Sequence, residues 1–109
     1  TGERPGTIHY MSPEQALGAP ADARSDLWSL GVVLFEMLSA RRPFDGDNVA
    51  TVAAALVRQP IPDLMTLAPA VPQPLAAIVA RLLQRDPGAR YGSADEVAGA
   101  LESALGAGR

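Results

Sequence analysis

The sequence predicts an all-α domain of about five helices packed around a buried central helix, with no β-sheet. The central helix is indicated by a stretch of 12 residues, Leu27 to Leu38, nine of which are apolar and cover nearly every face of a helix. Gly31 and Glu36 interrupt any alternation of apolar and polar residues there, which argues against a strand. Two further segments near the C-terminus repeat apolar residues at the spacing of a helix with one buried face.

The chain begins with a polar, turn-rich stretch, residues 1–11, which is predicted to be a loop. A short helix is then predicted from Ser12 to about Gly18. Ser12 is a suitable N-cap, Pro13 suits the first helical position, and Gln15 completes a capping box with Ser12. Local signals alone therefore define this helix.

The central helix is predicted to begin after an N-cap at Ser25 and to end near Ala40, before Pro43. A glycine inside a helix costs about 1 kcal/mol relative to alanine. We therefore expect Gly31 to allow a neighbouring segment to approach the central helix closely.

A third helix is predicted to end near Arg58, with either Asp47 or Asn48 as its N-cap. The segment 59–74 holds five of the ten prolines and is predicted to be an irregular, extended connection. A fourth helix is predicted to follow from Pro74.

The last helix is predicted to begin after a second capping box, formed by Ser93 and Glu96, and to run to Gly106. Both final helices carry apolar residues at helical spacing. These are Leu75, Ile78, Val79, Leu82 and Leu83 in the fourth helix, and Val97, Leu101, Ala104 and Leu105 in the fifth.

The composition bounds the class of protein. With 109 residues, 48% apolar and 19% charged, the chain is one globular domain and not a disordered tail. A net charge of −3 argues against nucleic acid as a partner, because that surface needs a basic patch. The chain has no cysteine, which excludes disulfides and thiolate metal sites, and all nine basic residues are arginine. The absence of cysteine suits a cytoplasmic setting. The longest apolar stretch is shorter than the about 20 residues that span a bilayer, so a soluble domain is expected.

Three segments carry a family resemblance when they are taken in order. GTIHYMSPEQ at 6–15 is similar to the end of an activation segment, with a variant of the Ala-Pro-Glu motif. SDLWSLGVVLFEMLSARRPF at 25–44 holds an Asp-x-Trp-Ser-x-Gly signature, and LLQRDPGARYGSADEV at 82–97, the closing motif, leads from an Asp-Pro turn to an arginine. Together they resemble the helical C-terminal lobe of bacterial eukaryotic-like (Hanks-type) serine/threonine protein kinases. The resemblance implies a partial kinase domain over 1–105, with 106–109 as a tail or the start of a linker.

The resemblance implies part of an enzyme that transfers the γ-phosphate of ATP to serine and threonine side chains of proteins, with Mg²⁺ as its metal. The lysine that pairs the phosphates in such kinases is absent, and neither His-Arg-Asp nor Asp-Phe-Gly occurs. We therefore expect the chain to be inactive alone, to bind neither ATP nor Mg²⁺, and to need the missing N-terminal part of the kinase domain. The alternative is a non-catalytic kinase remnant that acts as an interaction module.

The resemblance also implies roles for individual residues, although none of them is expected to be catalytic or to bind a metal. Thr7 would contact the catalytic aspartate, and Tyr10 would line the pocket for the residue after the phosphorylated one; alternatively, they only shape and pack the loop. Asp26 resembles the aspartate that holds the catalytic loop, but a first-turn carboxylate also favours the helix dipole. Thr1 stands where bacterial relatives carry a regulatory phosphothreonine and is a possible phosphorylation site.

Glu14 and Arg90 are expected, from the same resemblance, to form a structural clamp between the end of the activation segment and the closing motif. An arginine can grip a carboxylate with two parallel, charge-assisted hydrogen bonds. The alternative is that Glu14 is only a first-turn charge that faces solvent.

The remaining expectations concern the surroundings of the domain. The segment Val49 to Arg58 resembles a helix with which kinases dock protein substrates or regulators, and it could equally be a plain cover of the lobe. His9 is predicted to be a solvent-facing loop residue without a chemical role. The parent kinase is expected to be cytoplasmic, or anchored by a membrane segment after Arg109.

Overall fold

The computed structural model describes residues 7–107, and within this range the chain forms helices and no strand. The all-α fold class predicted from the sequence is confirmed. No helix in this range is long and apolar enough to cross a membrane. Two single-turn 3-10 helices lie at Thr7–Tyr10 and Pro87–Ala89. The α-helices are α1 (Pro13–Ala16), α2 (Ala23–Ser39), α3 (Val49–Arg58), α4 (Leu64–Leu67), α5 (Gln73–Leu82) and α6 (Ala94–Ala107).

The middle of the fold is α2, which contributes side chains to two buried clusters. The first cluster joins α2 to α3, α4 and α5, and the second joins it to α5 and α6. The buried members are Trp28, Val32, Phe35, Phe44, Val52, Leu56, Leu64, Val71, Ala76, Val79 and Leu83 in the first, and Leu27, Ile78, Leu82, Tyr91 and Val97 in the second.

Burial of α2 is not uniform, although the sequence predicts an apolar surface on nearly every face. Val33 is 39% exposed and Met37 is 74% exposed. These two residues are four positions apart and therefore lie on one face of the helix. The described residues leave that apolar face in contact with solvent.

The start of α2 differs from the prediction that Ser25 is its N-cap. The N-cap is Asp22, whose carboxylate accepts hydrogen bonds from the backbone N–H groups of Arg24 and Ser25 at 3.0 Å each. Aspartate and serine are comparable N-caps, and the earlier one prevails because the buried Ser25 hydroxyl is used elsewhere. The helix ends with Ala40 in the left-handed region at φ 60°, a position where glycine is the usual residue.

The caps of α1 and α3 agree with the local signals. Ser12 and Gln15 form the predicted capping box, with Pro13 in the first turn. Of the two candidate caps of α3, Asn48 is the one that serves, and it forms a capping box with Thr51.

The proline-rich connection contains a helix that the sequence did not predict. Four residues form α4, and the Asp63 carboxylate caps it by accepting from the Met65 backbone N–H at 3.0 Å. The prolines of this segment flank these residues, so none interrupts the turn, and burial of Leu64 stabilises it. The structure therefore has six α-helices among residues 7–107 instead of about five.

The close approach expected at Gly31 is confirmed. A β-carbon built on Gly31 would lie 2.8 Å from Cβ of Leu82 and 3.0 Å from Cδ2 of Leu83. Real side chains do not approach this closely, so only glycine lets α5 pack at this distance from α2. At α6, the Ser93 hydroxyl accepts from the Glu96 backbone N–H at 3.2 Å, which is one of the two bonds of the predicted box.

Candidate functional site

Glu14 and Arg90 are brought together by the fold although they are 76 positions apart. Arg90 Nη1 donates to Glu14 Oε2 at 2.7 Å, and Arg90 Nη2 donates to Glu14 Oε1 at 2.7 Å. The pair therefore has the two parallel bonds of a bidentate arginine–carboxylate contact. It joins the first turn of α1 to the residue that follows the 3-10 helix Pro87–Ala89.

The remaining donors of Arg90 are also used. Nε donates to the Gln84 carbonyl at 2.7 Å, Nη1 to the Arg24 carbonyl at 2.9 Å, and Nη2 to the Arg85 carbonyl at 3.3 Å. All five N–H groups of the guanidinium thus have an acceptor. The side chain of Arg90 has 0% exposure, and its guanidinium carbon lies 5.2 Å from the centre of the Trp28 ring. This buried charge is fully satisfied.

Glu14 is held in its ionised form by the same contacts. The hydrogen bond from Arg90 lowers the pKa of Glu14 to about 2, against the opposing effect of desolvation. The backbone N–H of Glu14, the hydroxyl of Ser25 and the positive charge of Arg90 also lower it. Ser25 Oγ donates to Glu14 Oε2 at 2.9 Å. The hydroxyl of Ser25 therefore binds Glu14 and does not cap α2. At neutral pH the carboxylate is a fixed negative charge between α1 and α2.

Tyr10 lies at the end of the first 3-10 helix and is tied to α2 at two atoms. Its hydroxyl donates to Glu36 Oε1 at 2.7 Å, and its carbonyl accepts from Ser29 Oγ at 2.6 Å. The hydrogen bond to Glu36, desolvation by burial and the charge of Glu36 raise the pKa of Tyr10, whereas the charge of Arg42 lowers it. Both the backbone and the ring of Tyr10 are thereby positioned by α2.

A row of charged side chains continues from Glu36 to the loop before α3. Arg42 Nε lies 3.4 Å from Glu36 Oε2, and Arg42 Nη1 lies 3.7 Å from Asp45 Oδ1. His9 Nε2 lies 3.3 Å from that same Asp45 oxygen and 3.0 Å from the Gly46 carbonyl. The row ends at His9 on the 3-10 helix Thr7–Tyr10, and Glu36 at its start accepts from the Tyr10 hydroxyl of the same helix. It therefore anchors this 3-10 helix to the loop before α3.

The prediction that His9 faces solvent is wrong. His9 is only 7% exposed, and its Nε2 meets the Gly46 carbonyl, 37 positions away. Its Nδ1 is buried and has no hydrogen-bond partner among the described residues. A polar residue in a turn-rich loop carries no local signal of such burial, because the partners lie far along the chain.

The other residues singled out in the sequence are not brought into this arrangement. Asp26 is exposed in the first turn of α2, and its carboxylate forms no hydrogen bond with the described residues. Thr7 begins the first 3-10 helix, but its side chain lies outside the described residues, as does all of Thr1. In residues 7–107, no group of three or more His, Cys, Asp and Glu side chains could hold a metal ion.

Comparison with known proteins matches this chain to protein kinases by sequence and by structure. The family model for the protein kinase domain matches residues 2–101 of this chain. The PrkC serine/threonine-protein kinase of Bacillus subtilis is 38% identical over 104 residues, which are 95% of this chain and 16% of that protein. The PknB serine/threonine-protein kinase of Mycolicibacterium smegmatis is 45% identical over 93 residues, which are 84% of this chain and 15% of that protein.

A solved structure, the twitchin kinase region from C. elegans, superposes with a TM-score of 0.69 at 27% sequence identity. The superposition covers 89% of this chain and 16% of that one. The chain thus spans about one sixth of the length of the curated relatives named above.

Proposed function

This chain belongs to the protein kinase family, and we propose that it forms the rear part of a serine/threonine protein kinase domain. In this proposal the parent enzyme transfers the γ-phosphate of ATP to protein serine and threonine. The chain supplies the loop that receives the substrate and the helical scaffold beneath that loop. The observation that carries the proposal is the bidentate Glu14–Arg90 contact, because it fixes the end of this loop to the closing motif.

The proposed substrate contacts are Tyr10 and Thr7. Tyr10 is suited to form the wall of a pocket because its carbonyl and hydroxyl are both bonded to α2. A wall fixed at two points keeps its place when a peptide binds, which lowers the cost of ordering the complex. Glu14 and Arg90 act as positioning residues, since they hold the backbone that follows this pocket.

Asp26 and Thr1 keep the roles that the resemblance gives them. The exposed carboxylate of Asp26 is available to accept hydrogen bonds from backbone N–H groups of a catalytic loop that the rest of the domain contributes. Thr1 is proposed as a phosphorylation site of the activation segment. Protein substrates or regulators would dock on α3, where Val49 and Val57 are 47% and 43% exposed.

ATP and Mg²⁺ are proposed as cofactors of the complete kinase only. The sequence supports this proposal, because it has no lysine to pair the phosphates. We therefore expect no transfer of labelled phosphate from ATP by the isolated chain. In the cell this part would lie in the cytoplasm, with any membrane anchor of the parent following Arg109.

A chimera tests the proposal. The aligned 104 residues of the PrkC kinase are replaced by this chain, and transfer of labelled phosphate from ATP to a protein substrate is measured. We expect an active chimera whose activity is lowered by Glu14→Gln. The matched control is Leu105→Gln, at a position 64% exposed on α6, which should leave the activity unchanged.

The alternative, a non-catalytic interaction module, predicts a different outcome. A chimera that unfolds in one cooperative transition but transfers no phosphate would contradict the kinase proposal and favour that module. A chimera that is active but insensitive to Glu14→Gln would keep the kinase proposal and remove the positioning role of Glu14.

A further inference from the structure

The side chain of Arg85 lies at the C-terminal end of α3, 26 to 30 positions earlier in the chain. Its Nε donates to the Leu56 carbonyl at 2.5 Å. Its Nη2 donates to the Ala55 carbonyl at 3.3 Å and to the Gln59 carbonyl. The last carbonyls of an α-helix have no partner within the helix, so Arg85 supplies donors to the Leu56 and Gln59 carbonyls, which α3 leaves without one. The Ala55 carbonyl also accepts from the Gln59 backbone N–H at 2.9 Å.

The charge of Arg85 adds to these bonds. A positive charge at the C-terminus of a helix is favoured by the helix dipole. The guanidinium also lies 5.9 Å from the centre of the ring of Phe44, a fully buried residue in the segment that leads to α3. Arg85 therefore contacts the approach to α3 as well as its last turn.

The backbone of Arg85 belongs to the turn that holds Glu14. We call residues Gln84–Arg90 the 84–90 turn. The Arg85 carbonyl accepts from Arg90 Nη2 at 3.3 Å, and the same nitrogen donates to Glu14 Oε1 at 2.7 Å. One short turn thus holds the end of α3 with one arginine and the start of α1 with another.

We propose that Arg85 is a positioning residue that fixes the last turn of α3, and that the 84–90 turn couples the order of this turn to the Glu14–Arg90 pair. Loosening either contact then loosens the other, because energetic coupling between two sites is reciprocal. The functional consequence of the coupling rests on the proposed function: a partner that binds α3 would change the order of the substrate loop. The coupling itself is a property of this chain and is tested without any activity.

Hydrogen exchange of the 109-residue chain reports on each contact through single amides. The Gln59 amide donates to the Ala55 carbonyl at 2.9 Å and reports on the end of α3. The Ala16 amide donates to the Ser12 carbonyl at 3.0 Å and reports on α1. The Leu83 amide, at the end of α5, donates to the Val79 carbonyl at 3.0 Å and is the internal reference.

Arg85→Ala should raise the exchange rate of the Gln59 amide by about 10-fold or more relative to the Leu83 amide, as expected for the loss of charged hydrogen bonds. The Ala16 amide should exchange faster in the same variant, and Glu14→Gln should in turn raise the rate at Gln59. Arg85→Lys should restore part of the protection at Gln59, because an ammonium keeps the positive charge although it has fewer hydrogen-bond donors.

The matched control is Arg58→Ala. Arg58 is an exposed residue of the last turn of α3 whose side chain forms no hydrogen bond with the described residues, so this variant removes the same charge without the bonds. An effect of Arg58→Ala as large as that of Arg85→Ala overturns the proposal, as does an unprotected Gln59 amide in the unaltered chain. Equal loss of protection at Gln59 and Leu83 in both Arg85 variants, or an unchanged rate at Ala16, also overturns it.

Discussion

Arg90 directs its guanidinium fork at Glu14 and spends its remaining donors on three backbone carbonyls. Replacing Glu14 leaves the hydrogen bonds to those carbonyls in place, but replacing Arg90 removes them. Removal of Glu14 therefore leaves only the guanidinium without its counter-charge, whereas removal of Arg90 leaves both the carboxylate and three carbonyls without a donor.

A double-mutant cycle on this pair is the first prediction. Glu14→Gln should lower the free energy of unfolding by about 3–5 kcal/mol, because the buried guanidinium loses its counter-charge. Arg90→Ala should cost more, since three carbonyls lose their donor as well. The double mutant should cost less than the sum of the two, as measured by urea denaturation.

The control for this cycle is Glu102→Gln, at an exposed position on α6, which should stay within about 0.5 kcal/mol of the unaltered chain. Additive costs for the two substitutions would mean that Glu14 and Arg90 act independently.

The pH dependence of stability provides a second prediction. The pKa of Glu14 is about 2 in the folded chain, below its ordinary value of 4.5. A lowered pKa adds about 3 kcal/mol of stability above about pH 4.5, and this contribution is lost as the pH falls towards 2. The difference in unfolding free energy between the unaltered chain and Glu14→Gln should therefore shrink over this range. A difference that stays constant down to pH 2 would show that the charge of Glu14 is not what stabilises the fold.

Tyr10 gives a third prediction, by titration of its phenol. The neighbouring Glu36 raises the pKa of Tyr10 above the ordinary 10.0, so the neutral phenol stabilises the folded chain, and this contribution is lost as the pH rises through the folded pKa. In a Tyr91→Phe background, which leaves Tyr10 as the only tyrosine, tyrosinate absorbance reports its pKa. Glu36→Gln should lower that pKa.

Arg42→Ala is the control for the tyrosine titration, with the opposite sign. Removing this positive charge should raise the pKa of Tyr10 further, since Arg42 opposes Glu36. If both variants shifted the pKa in the same direction, the contact between Tyr10 and Glu36 would not control it.

Gly31 and Gly99 form a matched pair for a fourth prediction. Both lie inside helices, where alanine is favoured over glycine by about 1 kcal/mol. Gly31→Ala should nevertheless destabilise the chain, because a β-carbon would meet Leu82 at 2.8 Å and overpacking costs about 1–3 kcal/mol. Gly99→Ala should stabilise it, since nothing lies within 4 Å of the added carbon. Thermal unfolding of the two variants distinguishes these signs, and a stabilised Gly31→Ala would refute the close packing of α2 on α5.

Signals that act within one turn of helix were readable from the sequence. Ser12 caps α1 as predicted, and Asn48, one of the two predicted candidates, caps α3, because an N-cap needs only its own side chain and a backbone N–H a few residues later. Ser25 was misjudged since its choice between capping and bonding Glu14 depends on a contact outside its own helix. The helix α4 was missed because proline content argued against it, whereas burial of Leu64 decides it.

The candidate site was predictable only in part, for the same reason. The resemblance supplied Glu14 and Arg90, whose contact no local pattern predicts. The row from Glu36 through Arg42 and Asp45 to His9 joins three separate stretches of chain and has no sequence signature. The contact of Arg85 with α3 is likewise created by the fold alone.

The bonds of Arg90 also determine how long the folded chain persists. They join α1, the start of α2 and the 84–90 turn, so they form only after three distant segments have assembled. Closing so long a loop costs chain entropy before any of these hydrogen bonds can form. We therefore expect these contacts to form after the rate-limiting step of folding. Glu14→Gln should therefore leave the folding rate nearly unchanged and speed unfolding by about 150- to 5,000-fold, the rate equivalent of about 3–5 kcal/mol, as stopped-flow kinetics would measure. The pair then acts as a latch that governs the lifetime of the native state and not the speed of its formation.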